Sequence, residues 1–507
     1  MAFASFGDFI RKLESAGELD RFSEPIASEL EITCIADREM KKPGGGKALL
    51  FEKPTVNGSP SPFPLAINTL GSNRRMGMAL GAESIEAAAA ELAALVKAKP
   101  PAGVRDAMKL LGTAMNLRHV KPALVDDGPC REVVNRFEIP PARRQAWPPA
   151  PGIEQTRQSE PTLLNLPILK CWPLDGGRFL TLPCVVTRDP DTGERNLGMY
   201  RMQVYDERTT GMHWQLQKVA ARHGRRYYET GARMPVSVFL GGDPAYTFAA
   251  TAALPDGLDE FLLAGYLRKK SVELVKCLTN DLEVPADADF VIEGFVDPSE
   301  PLRDEGPFGD HTGFYTLPEP YPVFHITAIT HRREPIYPAT IVGRPPMEDF
   351  YIGNATVRLF LPVLKMNFPE LVDLALPAEG VFHNLVFASI RKTYPMQAYK
   401  VMHGLWGMGQ MMFTKYIVVV DEDVDVHNTS EVLFHLCANT DPQRDSIVTR
   451  GPADVLDHAT PQIGSGSKLG MDATRKLPGE GHTRKWPPII AMDPEIRKRV
   501  DALMGGV

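Results

Sequence analysis

Hydrophobic and polar positions recur along the chain with two periods, and the switches between those periods mark its elements. Near the start, Phe9, Ile10 and Leu13 share one side at helical spacing over residues 6–16 and the pattern stops at Gly17, predicting a short docking helix. Short apolar runs at 48–51 and 65–69, bounded by Gly and Pro, read as strands of an α/β unit. Ser84 is placed to cap an Ala-rich helix over 85–97, which stops before Pro100-Pro101. After a proline-dense connection at 140–161, period two takes over. Residues 179–187 and 197–205 read as strands joined by the hairpin turn Asp189-Pro190-Asp191-Thr192-Gly193. That counting puts Met199, Arg201, Gln203 and Tyr205 on one face, with Arg201 in mid-strand. A guanidinium there either pairs with an acid or awaits an anionic ligand.

Residues 212–215 read as the partner strand, with further strands at 235–240, 290–295 and 323–330. A helix opens at Pro255-Asp256-Gly257-Leu258, with Leu258, Phe261, Leu262 and Gly265 on one side and Glu260 in its first turn. By spacing alone, complementarity to the helix dipole accounts for that Glu. In the last third, 357–366 has helical spacing interrupted by Pro362, and 416–420 reads as a buried strand. Two glycine-rich stretches, 44–47 and 464–470, miss the spacing of both phosphate-binding patterns and read as loops.

The 507 residues exceed one hydrophobic core, so two or three domains are expected. With 43% hydrophobic and 23% charged residues the chain is globular, and its net charge of −7 with scattered Lys and Arg leaves no footprint for nucleic acid. Six cysteines stand singly, which fits a reducing compartment and no zinc knuckle. No apolar run reaches membrane-spanning length and the N-terminus lacks a signal-peptide core, so a cytoplasmic location is expected.

The stretch richest in chemistry is Glu305-Gly306-Pro307-Phe308-Gly309-Asp310-His311-Thr312-Gly313. An extended chain would hold Glu305 and Asp310 ~17 Å apart. The Gly and Pro residues between them supply turn geometry able to bring both acids to one point. Two carboxylates sharing a partly buried site differ in proton affinity, giving a donor beside an ionised partner. The same residues also make an ordinary solvated turn.

Company elsewhere in the chain decides between those readings. The words Lys170-Cys171-Trp172-Pro173, Asn196-Leu197-Gly198-Met199-Tyr200-Arg201, Asn280-Asp281-Leu282-Glu283-Val284-Pro285, the Glu305 stretch and Gly343-Arg344-Pro345-Pro346 together resemble the UbiD family of (de)carboxylases. The likeness spans nearly the whole chain. It implies a multidomain α/β and α+β fold: an N-terminal α/β domain (1–120), a split β-barrel flavin-binding domain (121–332) and a C-terminal α/β oligomerisation domain (333–507). It implies prenylated FMN with Mn2+ or Mg2+, a potassium ion, and a separate flavin prenyltransferase as cofactor supplier. The assembly it implies is a homodimer or homohexamer.

Carried over by motif, the catalytic set is Arg201, Glu305 and Asp310. Arg201 grips the substrate carboxylate, Glu305 bonds Arg201, and Asp310, at least transiently protonated, replaces the departing carbon dioxide with a proton. The metal positions are Asn196 and Glu260, whose hard oxygens suit manganese or magnesium. Flavin contacts fall on Met199, Tyr200, Arg201, His213, Trp214, Gln215, Lys218 and Val219. Where some relatives have a His ligand, this chain reads Gln215-Leu216-Gln217-Lys218, leaving the third ligand open and Lys218 free to meet the phosphate.

Three functions are weighed: a prenylated-FMN decarboxylase, an ordinary FMN oxidoreductase, and an idle paralogue kept as a subunit. The triad with Asn196 and Glu260 favours the first. The resemblance gives Asp at position 310 to members acting on hydroxybenzoates, so the expected substrate is a hydroxybenzoate-type acid, with 4-hydroxy-3-polyprenylbenzoate foremost. A prenylated tail would require peripheral membrane contact; a small soluble aromatic or heteroaromatic acid is the alternative.

Overall fold

The first helix forms where the periodicity places it, over Phe6–Ser15, with Phe6, Phe9, Ile10 and Leu13 buried. Ser5 caps it, accepting the Asp8 amide at 3.0 Å. The computed structural model describes residues 2–96, 120–137, 162–215, 218–252, 254 and 257–504. The connection at 140–161, the end of the Ala-rich helix at Lys97, Pro100-Pro101 and Pro255-Asp256 lie outside the described residues.

Three successive layers position the site. In the N-terminal unit, Leu19–Ala27 and Ala48–Val56 pair in parallel, Leu65–Ile67 joins antiparallel, and Tyr337–Ala339 returns from far along the chain to complete the sheet. The glycine-rich segment at 44–47 is a 3-10 turn, Pro43–Gly45, rather than a free loop tip. Buried Arg75 binds the carbonyls of Gly45 and Gly46, so the glycines serve close packing.

The central layer is a seven-stranded antiparallel sheet. Its order is Thr209–Gly211, Val323–His331, Phe290–Val296, Met234–Leu240, Cys184–Arg188, Arg195–Met199, with Val133–Arg136 also paired to Val323–His331. The predicted hairpin turn is present: the Asp189 carboxylate accepts the amides of Asp191 and Thr192 at 2.8 and 3.0 Å. The path is open, since no ladder joins its first and last strands among the described residues.

The C-terminal layer is a five-stranded mixed sheet in the order Leu371–Ala375, Leu385–Ile390, Tyr416–Asp421, Ser465–Asp472, Ser446–Pro452. The 20-residue helix Glu348–Asn367 leads into it.

Several expectations change, the first being the strand at 179–187, which is two pieces, Phe179–Leu180 and Cys184–Arg188, in different sheets. The predicted strand at 197–205 is two pieces, Arg195–Met199 and Met202–Gln203, and Arg201 stands in the break, where its guanidinium turns towards two acids. Residues 212–215 make no strand; the ladder is carried by Thr209–Gly211 instead, and His213 donates its amide to the Arg201 carbonyl at 3.4 Å. Residues 464–470 lie largely in the strand Ser465–Asp472. A Cβ on Gly470 would come within 2.3 Å of the Met402 sulfur, so that glycine marks close packing against a helix rather than a turn. Pro362 is accommodated within Glu348–Asn367, flanked by buried Leu359 and Leu361, at the loss of one backbone bond.

Candidate active site

Gly306, at φ +102°, bends the chain between the two acids in a conformation that side chains disfavour. The Gly306 amide donates to the Gln203 side chain at 2.7 Å. Three residues on, Gly309 donates its amide to Asp175 at 2.8 Å. The same Asp175 carboxylate accepts the amides of Cys171 and Trp172, which fastens the Lys170-Cys171-Trp172 segment to the turn. A Cβ at Gly309 would fall 2.2 Å from the Trp172 ring, so this approach requires glycine.

So held, Glu305 and Asp310 meet one guanidinium. Arg201 donates from Nε and Nη2 to the two Glu305 oxygens at 2.9 and 3.1 Å, and from Nη1 to Asp310 Oδ2. Nη2 also reaches Thr316 Oγ1 at 3.2 Å, and the Phe308 ring lies 4.5 Å from the guanidinium. Both carboxylates are buried, Glu305 at 1% and Asp310 at 5% exposure. Burial by itself would raise both, yet both are held below the ordinary carboxylate range. For Glu305 the opposing causes are the His213 bond and Arg201; for Asp310 they are Arg201 and His311. At rest Asp310 is therefore ionised, and the protonation expected of it must follow a change at Arg201.

Of the residues expected to contact flavin, His213 reaches this triad directly. His213 Nδ1 is 3.1 Å from Glu305, while its Nε2 and the Trp214 Nε1 are buried with no partner. Such orphaned polar atoms fit the polar edge of a cofactor. Lys218 is the residue before the helix Val219–Thr230, and no side chain caps that helix end, whose first-turn amides suit a phosphate. Burial pushes the Lys218 ammonium down, opposed by Asp454. Met199 ends the strand Arg195–Met199, Tyr200 follows it in the break before Met202–Gln203, and Gln215 follows Trp214.

The two expected metal ligands also converge. Glu260 Oε2 accepts the Leu197 amide at 2.8 Å, next to Asn196, whose amide nitrogen lies 3.4 Å from the Tyr200 hydroxyl. Burial lifts the Glu260 carboxyl to about 7, the cost of a half-satisfied acid that a cation would relieve. The chemistry of this pair, an amide oxygen and a carboxylate, fits Mn2+ or Mg2+. Gln217 lies outside the described residues.

Sequence reasoning missed several neighbours. His311 stood inside the quoted motif with no role assigned; its Nδ1 is 2.7 Å from Asp310. His383 and Asp454 come from the C-terminal layer, where no short-range spacing ties them to the motif. Gln203 was counted on the face of Arg201 but given no role, and Thr316 and Asp175 carried no signal beyond being polar.

Arg201, shared by two carboxylates beside an acid–amide pair and unpartnered ring nitrogens, has the chemistry to take an anion and the polar edge of a cofactor. Sequence profiles of the 3-octaprenyl-4-hydroxybenzoate carboxy-lyase N-terminal domain, Rift-related domain and C-terminal domain match residues 10–95, 145–345 and 350–473. The chain belongs to the UbiD family of decarboxylases. It is 46% identical to an uncharacterised protein of Archaeoglobus fulgidus over 99% of this chain and 98% of that one. Among solved structures it is similar to vanillic acid decarboxylase of Sedimentibacter hydroxybenzoicus in closed form, with 25% identity, TM-score 0.81 and 99% of each chain covered. It is likewise similar to the UbiD-class enzyme HmfF of Pelotomaculum thermopropionicum in complex with FMN, at 26% identity, TM-score 0.75 and 96% and 97% coverage. An evolved dimeric form of HmfF in complex with prFMN matches at 25% identity, TM-score 0.75 and the same coverage.

Proposed function

We propose that this chain decarboxylates a hydroxylated aromatic carboxylic acid using prenylated FMN, held with Mn2+ or Mg2+ and K+. The observation that carries the reading is the sharing of Arg201 between the buried carboxylates of Glu305 and Asp310. An incoming carboxylate competes for Nη1 and Nη2, while Glu305 keeps Nε and the orientation of the fork. Once the guanidinium charge is shared with substrate, the restraint that kept Asp310 ionised weakens. Burial then favours its neutral form, and Asp310 takes up the proton that it delivers to the ring carbon vacated by carbon dioxide. Prenylated FMN supplies the electron sink for the carbanionic ring when bound. Met199, Tyr200, His213, Trp214 and Gln215 would line it, Lys218 and Val219 would meet its phosphate, and Asn196 with Glu260 would hold the divalent ion.

The open seven-stranded sheet is read as the family's split barrel, because its last strand carries Asn196 and Met199. The domain division is 1–120, 121–332 and 333–507, with the last unit assembling a homodimer or homohexamer. We place the enzyme in the cytoplasm, supplied by a flavin prenyltransferase. The first substrate candidate is 4-hydroxy-3-polyprenylbenzoate. A small soluble aryl or heteroaryl acid is the second reading, favoured by the likeness to vanillic acid decarboxylase over 99% of the chain. No helix of the described residues is long and apolar enough to cross a membrane. The test is carbon dioxide release from a prenylated hydroxybenzoate beside soluble aryl, furan and pyrrole acids, by enzyme co-produced with a flavin prenyltransferase. Turnover of the soluble acids alone rejects the prenylated substrate, and full activity with plain FMN rejects the cofactor.

A further inference from the structure

Behind Asp310 the contacts continue into the C-terminal layer. His311 Nε2 lies 2.8 Å from His383 Nε2, and an Asp454 oxygen is 4.0 Å from that same nitrogen. The three donor atoms fall within 4.8 Å of one another. They arrive from separate stretches: the turn after Phe308–Gly309, the segment after Ala378–Gly380, and the residues just past Ser446–Pro452. Val381 and Phe382 both adopt left-handed backbone, φ 54° and 41°, immediately before His383. For a β-branched and an aromatic residue that conformation is costly, and the result is to aim the imidazole at His311.

The arrangement is unusual for two histidines. His311 Nδ1 faces the Asp310 carboxylate, which outweighs burial and raises the imidazole to about 8, so Nδ1 keeps its proton and an ion at Nε2, the nitrogen facing His383, takes the place of the second one. A ring nitrogen aimed outward while the other N–H is anchored on a carboxylate is how metal-ligating histidines are commonly oriented. We propose that His311, His383 and Asp454 bind a borderline divalent transition ion of the zinc class, at a site separate from Asn196 and Glu260. Two imidazoles and a carboxylate select such an ion over Mg2+ or Ca2+, which prefer oxygen throughout. Metal–nitrogen bonds of about 2.0–2.1 Å set tetrahedral donors about 3.3 Å apart, and the present 2.8 and 4.0 Å separations bracket that value.

The neighbouring charges accommodate a cation. The Asp349 carboxyl is buried beside His311 with one oxygen unpartnered. Asp457 is ion-paired to Lys415 at 2.5 Å, and Lys218 is the cation that acts on Asp454 and would have to yield to the ion. The bound ion would fasten the C-terminal layer to the catalytic turn, making His311 a positioning residue for Asp310.

The experiment needs neither flavin nor substrate, so it is independent of the decarboxylase reading. Chelator-stripped wild type, His383→Gln, Asp454→Asn and Glu260→Gln are titrated with Co2+ and followed by visible absorption. We expect an intense four- or five-coordinate cobalt band in wild type and in Glu260→Gln, with affinity reduced at least about tenfold in His383→Gln and in Asp454→Asn. Asp454→Asn alone decides if His383→Gln does not fold. No such band in wild type, or equal affinity and spectrum in both ligand variants, overturns the site and leaves a histidine–histidine hydrogen bond only.

Discussion

Two buried arginines each sit between two carboxylates and over an aromatic ring, yet the two sites differ in what remains unsatisfied. Arg268 donates to Asp243 at 2.8 Å and to Asp287 at 3.1 Å, with the Tyr246 ring 4.7 Å away. Its carboxylates are committed elsewhere too. Asp243 caps the helix Pro244–Thr251 and accepts the Phe3 amide, and Asp287 accepts the Tyr246 hydroxyl. Remaining guanidinium donors face the carbonyls of Phe3 and Ser271. Every partner there is part of the framework, binding the N-terminus to the central layer. Around Arg201 the partners lead outward instead, to His213 and Trp214 with unpartnered buried nitrogens and to the His311–His383 pair. A buried charge network whose members are all mutually satisfied is structural; one with spare donors at its rim is built to receive something.

The largest effect expected from this contrast is chemical. Asp310→Asn should lower decarboxylation by about 10²–10⁴ while retaining flavin, since an amide cannot pass a proton. Asp287→Asn should leave turnover per folded molecule within about twofold of wild type. Carbon dioxide release normalised to flavin content checks both, and a wild-type rate in Asp310→Asn would remove that residue from the reaction. Next, Arg201→Lys should cost at least about a hundredfold in kcat/KM, because a point charge cannot hold a carboxylate by two parallel bonds.

The third effect is on stability. Arg268→Met strands buried Asp243 and half-buried Asp287 and should destabilise the first urea transition by about 3–5 kcal/mol, with the surviving fold still active. A loss of activity without a shift in that transition would erase the distinction between the two arginines. The smallest is Tyr246→Phe, which removes one hydroxyl bond to Asp287 and should cost about 1 kcal/mol in the same unfolding curve.

Much of the framework was legible because it obeys local rules. The amphipathic first helix, the Ser84-capped helix and the Asp189 hairpin follow from spacing and turn chemistry, and the Ala87 amide does reach Ser84 Oγ at 3.1 Å. The triad was legible only as words in a family pattern, and the structure brings its three members into contact. What failed was alternation across Tyr200 and Arg201: period two predicts a continuous strand, but pairing Arg201 with acids 104 and 109 residues away required breaking it. Glycine was misleading at 464–470 for a related reason. Read locally it means a turn, whereas Gly470 answers to Met402, a residue that no sequence window includes. His383 and Asp454 were invisible on the same ground, since they meet His311 only where the C-terminal layer reaches the turn that carries Asp310.

The 104-residue separation between Arg201 and Glu305 also governs when the site can exist during synthesis. A ribosome adding about 5–20 residues per second emits Arg201 roughly 5–20 s before its first carboxylate partner. Through that interval the arginine has no native acid to neutralise it, although the strands on either side of it already have their partners, Cys184–Arg188 and Phe179–Leu180. Closing a loop of that length costs about 4 kcal/mol of chain entropy, which the pair alone cannot recover. The Cys184–Arg188 and Arg195–Met199 hairpin can close at once, but Val323–His331, which joins Thr209–Gly211 to Phe290–Val296, is made after Glu305, so the sheet and the centre it carries are completed together.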